Sequence, residues 1–84
     1  MDAITRETLL SYGERQWDST GIRVHRGEYA VAVSDEGWHG TYLVGFYSTS
    51  PLISTWESFD MEHTSDMLQE IREWLGVDEG WPIR

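Results

Sequence analysis

The chain has 84 residues and sets 15 Asp and Glu against six Arg, with no Lys and no Cys, for a formal charge of −9. That length fits one small domain, of a size that buries only about 60–65% of its unfolded surface. The charge argues against direct binding to nucleic-acid phosphates or anionic membranes, since no local basic patch overrides it. The missing cysteines exclude disulfide staples and thiolate metal sites, so stability has to come from packing.

Five Trp, four Tyr and two Phe make the chain too aromatic for a disordered acidic tail, and a packed core is expected. The longest apolar stretches, Tyr29–Val33 and Tyr42–Val44, fall far short of the roughly 20 residues of a membrane span. The first residues, Met1 to Glu7, lack the basic and apolar regions of a signal peptide, which makes the expected location cytoplasmic.

The first predicted element is a helix over about 5–17. Thr5 reads as its N-cap with Glu7 in the first turn, and Ile4 and Leu9 have hydrophobic-staple spacing. Gly13 stands inside this pattern. After the turn Asp18–Gly21 the period becomes alternating. Strands are predicted at about 21–25, 29–34, 41–48 and 52–57, with Ile22, Val24, Tyr29, Val31, Val33, Tyr42, Val44 and Phe46 as the apolar positions. Thr64 or Ser65 then caps a helix over about 65–75. Met67, Leu68, Ile71, Trp74 and Leu75 form its stripe, and Gly76 is its left-handed terminator. In the tail 77–84, Trp81 and Ile83 are candidates to pin back onto the body. The predicted fold is a single α+β domain over 1–84. It is a four-stranded antiparallel meander flanked by two helices, ordered α-β-β-β-β-α, in two layers.

No catalytic motif appears, and a non-enzymatic protein without cofactor or metal is expected. His25, His39 and His63 lack the helical spacing of a metal pair, no serine sits in a nucleophile elbow, and Gly37-x-x-Gly40 is too short to cradle a phosphate. His39 with Asp35 and Glu36 supplies the one acid–base or metal constellation, the basis of a small metal-dependent hydrolase reading. Its bland counterpart is an ordinary loop between two glycines.

Charge distribution carries the main functional signal. Residues 57–84 hold eight acids and two Arg, against seven acids and four Arg in residues 1–56. Asp66, Glu70 and Glu73 are spaced by about 6 and 4.5 Å along the last helix, on the face read as opposite Met67, Ile71 and Trp74. Glu57, Asp60 and Glu62 lie just upstream, and Arg72 alone dilutes the stripe. One reading is a solvated helix face. The other is a surface that docks on a basic nucleic-acid-binding protein or nuclease complex in place of nucleic acid, with attraction speeding the encounter. Trp38, beside Asp35 and Glu36 at a loop tip, is either an interface anchor or an aromatic folded over the sheet edge. Self-association stays open.

In size, acidity and lack of catalytic residues the chain resembles the small phage-encoded inhibitors grouped as anti-CRISPR proteins. That resemblance implies a non-enzymatic inhibitor of a CRISPR effector, acting in the host cytoplasm by blocking a nucleic-acid site. The run Glu28–Gly37, the following strands and the helix ending Glu73–Trp74–Leu75 are similar to HicB-type antitoxins, though the family's Gly-Cys segment is missing and a helix precedes the strands. This second resemblance implies an antitoxin or immunity-type neutraliser of a cationic nuclease.

Overall fold

The alternating segments assemble into one antiparallel sheet with both helices on the same side. The computed structural model describes residues 1–16, 21–35 and 39–77. The element order is α1 (Ala3–Leu10), β1 (Glu14–Gln16), β2 (Gly21–Arg26), β3 (Tyr29–Ser34), β4 (Thr41–Thr49), β5 (Leu52–Asp60) and α2 (Thr64–Leu75). The strands lie in the sheet in chain order, each antiparallel to its neighbour in sequence. The two-layer α+β architecture is as expected, with a fifth strand added.

That fifth strand replaces the second half of the expected first helix. Asp2, not Thr5, is the N-cap: its Oδ1 accepts from the Thr5 amide at 2.7 Å, while Thr5 itself is buried. The helix then ends at Leu10. No staple forms, because Ile4 is 78% exposed. Gly13 explains the early stop: a Cβ there would stand 2.4 Å from the His25 carbonyl oxygen, so the backbone enters the sheet where only glycine fits. All three β1 residues are exposed, and they give no alternation to read.

Register places the apolar side chains on one face. Ile22 pairs with Val33, Val24 with Val31, Val31 with Phe46, Val33 with Val44, and Tyr42 with Phe59. All are buried. Leu9 and Tyr12 cover this face from the N-terminal side, and Met67, Ile71 and Leu75 of α2 cover it from the other. Burying each such side chain stabilises by roughly 1.5–3 kcal/mol, the main force holding a chain without staples.

Two further features fix α2. Gly76 has φ 75°, and the Val77 amide donates to the Arg72 carbonyl at 3.0 Å, so the left-handed terminator is as expected. At the other end the helix begins at Thr64, and His63 occupies the N-cap without a side-chain bond; the expected Thr64 or Ser65 cap is absent. Trp74 is half-buried, edge-on to Tyr29 and Phe46, and its indole N–H donates to the Tyr47 carbonyl at 3.0 Å. Val77 is buried, whereas Trp81 and Ile83 lie outside the described residues.

The opposite sheet face has no helix on it among the described residues. There the Arg23 guanidinium lies 4.8 Å over the Tyr47 ring, and Tyr47 meets Trp56 edge-on at 5.6 Å. Gly45 makes the room: a Cβ on it would stand 2.6 Å from the Tyr47 hydroxyl.

Candidate functional site

The last strand of the meander forms one edge of the sheet, and α2 runs back over it. Ile53, Thr55, Glu57 and Phe59 of β5 are in register with Ser48, Phe46, Val44 and Tyr42, so they point to the helix side. Of these four only Phe59 is buried. A strand covered on that side would carry apolar residues at all four positions. Thr55 and Glu57 are polar because α2 leaves a gap over them, and this gap is the site.

The gap is a cleft of about 270 Å³ lined by Phe46, Thr55, Glu57, Glu70, Glu73 and Trp74. A second hollow of about 410 Å³, lined by residues including Ser58, Asp60, His63, Asp66 and Gln69, shares Glu70 and Glu73 with it. Together they form a groove between β5 and α2. Five carboxylates converge there: Glu57, Asp60, Asp66, Glu70 and Glu73. The acidic stripe of α2 therefore lies on the flank beside Trp74 and turned toward β5, not opposite the apolar stripe as expected. Trp74 and Glu73 line the same cleft.

Electrostatics in the groove are unbalanced. The Glu70 carboxyl is held above the ordinary glutamate value of 4.5, chiefly by desolvation, then by the charge of Glu57, the charge of Glu73 and a hydrogen bond shared with the Glu57 carboxyl. Away from the groove, the Met1 ammonium pairs with Asp35 at 2.6 Å, and His25 Nε2 stands 3.2 Å from Glu14 Oε1. Three arginines make hydrogen bonds outside the cleft. Arg72 donates to the Tyr12 hydroxyl, Arg26 to the carbonyls of Leu75 and Gly76, and Arg23 to Gln16. Arg15 stems from β1 and Arg23 and Arg26 from β2, four and three inter-strand steps from β5, or about 19 and 14 Å across the sheet.

The remaining candidate residues separate. Glu62 is exposed in the turn after β5, where its amide donates to Asp60 Oδ1 at 3.0 Å. Asp35 is bound at 2.6 Å by the Met1 ammonium, and that bond holds its carboxyl below the usual value. Glu36 and Trp38 lie outside the described residues, as do residues 18–20 of the expected turn and residue 17 of the expected first helix. His39 is exposed with φ 52°. Among the described residues no group of three or more His, Asp or Glu has a metal-holding arrangement. The residues that sequence reasoning missed are Thr55, Phe46 and Trp74 as walls of the cleft; only the polar Thr55 and Glu57 at inward positions of β5 signalled it.

Comparison with protein-family models, with curated proteins and with solved structures gives no match in any of the three. No helix among the described residues is long and apolar enough to cross a membrane.

Proposed function

We propose that this chain is a non-enzymatic binding protein that docks its β5–α2 groove on the basic surface of a nucleic-acid-handling protein, as an inhibitor of the anti-CRISPR kind. The observation that carries this reading is the convergence of Glu57, Glu70 and Glu73 on one open cleft. Crowded carboxylates cost stability in the free protein, and a cationic partner turns that cost into binding. Their field also accelerates encounter with a positive surface. A neutraliser of a cationic nuclease would use the same groove, and the nature of the captured partner separates the two.

The test is capture from nuclease-treated host lysate by the wild type and by the Glu57→Gln/Glu70→Gln/Glu73→Gln variant. The wild type retains a basic protein that added DNA or RNA displaces, and the variant loses it. Equal capture by both proteins, or a partner indifferent to nucleic acid, overturns the reading.

A further inference from the structure

We propose that the free edge of β5 takes up an extended basic segment of the partner as a sixth strand, with every second side chain of that segment entering the acidic groove. This deepens the docking reading above and rests on it.

The first support is the edge itself. β5 is nine residues long, pairs with β4 without a bulge from Leu52 to Asp60, and has nothing strand-like on its other side among the described residues. It carries no Lys and no Pro within its length, two common devices for blunting such an edge. The phase of its hydrogen bonds follows from two others. The Thr49 amide donates to Glu28, away from β5, and the Met61 amide donates to Gly40. Antiparallel bonding alternates, so Ile53, Thr55, Glu57 and Phe59 bond to β4, while the backbone groups of Ser54, Trp56 and Ser58 point outward. Three consecutive outward positions suit an added strand.

The second support is what flanks that edge. A strand added about 4.8 Å beyond β5 alternates its side chains between the two faces of the sheet. On the helix side they meet Glu57, Glu70 and Glu73. On the other they meet Trp56, 51% exposed, and Leu52, 86% exposed. The fitting segment therefore alternates basic and apolar residues over six to nine positions, a length set by β5. A second copy of this chain does not fit. Two β5 edges paired antiparallel bring both sets of groove carboxylates together, and like charges there repel.

The test uses two fluorescein-labelled octapeptides of equal composition, one alternating Arg and Val, the other with four Arg followed by four Val. Fluorescence polarisation is measured against the wild type, Ser54→Pro and the Glu57→Gln/Glu70→Gln/Glu73→Gln variant. Ser54→Pro removes an outward amide and leaves the bonds to β4 intact. The alternating peptide is expected to bind the wild type at least tenfold more tightly than the block peptide, and to lose at least tenfold with either variant. The same peptide with its β5-facing amides N-methylated loses a similar factor, independently of how Ser54→Pro folds. If both peptides bind alike and only the Gln variant weakens them, charge alone acts: the docking reading stands and the added strand is wrong. If neither peptide binds, both readings fall. A wild-type dimer in light scattering that Ser54→Pro makes monomeric shows a second copy on the edge and also overturns the proposal.

Discussion

Glu57 on the edge strand and Glu70 on the covering helix line the same cleft, where the charge of Glu57 helps to hold the Glu70 carboxyl above its ordinary value. They are 13 positions apart in sequence and belong to different layers of the fold. Two like charges on one cleft repel.

Glu70→Gln is accordingly expected to stabilise the protein at pH 7. Relieving a like-charge contact is worth roughly a few tenths of a kcal/mol per pair, and Glu70 has such contacts with Glu57, Glu73 and Asp66. Summed over the three contacts, in a domain this small, that is a rise in Tm of about 3–8 °C. Thermal melts followed by circular dichroism check it, and a lower Tm for the variant contradicts it.

The pH profile should have a maximum on the acid side of neutral. Glu70 titrates higher folded than unfolded, so its penalty is full above the folded value and is relieved as pH falls through it. Asp2 and Asp35 titrate below the ordinary 3.8, Asp2 through the Thr5 hydrogen bond and Asp35 through the Met1 ammonium. Their stabilisation is present above 3.8 and is lost as pH falls below it. Melting temperature should therefore rise as pH falls from neutral toward 4.5 and drop as pH falls below 3.8. Glu70→Gln should flatten the first limb and leave the second.

Salt should act in the same sense as the Gln substitution. Screening weakens repulsion between exposed charges, and the Debye length falls from about 30 Å at 0.01 M to about 10 Å at 0.1 M. Tm is expected to increase over that range, less so in Glu57→Gln/Glu70→Gln/Glu73→Gln. Affinity for a basic partner should fall over the same range.

Most of the sheet was legible because alternation survives where one face is buried. The stretches Ile22–Val24, Tyr29–Val33 and Tyr42–Phe46 carry apolar residues at every inward position, and Arg26 alone breaks the pattern between the first two. The edges were not. β1 is short, polar and wholly exposed, and Gly13 looks like a poor helix residue until the His25 carbonyl behind it is seen. The acidic residues were found by counting charge, but their direction depends on how α2 lies over β5, which no local spacing encodes. Asp35 grouped with Glu36 and His39 by proximity in the chain, while the fold binds it to the Met1 ammonium.

Gly13→Ala tests the account of β1. The added methyl meets backbone at 2.4 Å, and a clash of that kind costs about 1–3 kcal/mol. Had this segment been helical, the same change would have stabilised it by roughly 1 kcal/mol. The sign of the shift in a urea melt decides.

Trp74 joins the groove to the core. Trp74→Phe keeps the ring contacts with Tyr29 and Phe46 but drops the bond to the Tyr47 carbonyl, a loss of about 1 kcal/mol. Trp74→Ala, which also opens a cavity beside Phe46, should cost about 2–4 kcal/mol. Equal destabilisation by the two changes would show that the hydrogen bond, rather than the packing, dominates.

Trp56 and Trp74 stand on opposite faces of the sheet, one beside the β5 edge and the other in the wall of the cleft. Their indole N–H groups are two spectroscopic reporters built into the molecule. A ligand that only fills the cleft shifts the Trp74 resonance. One that lies along the strand and reaches both faces shifts the two together. The protein thus carries its own means of telling a guest in the groove from a guest in the sheet.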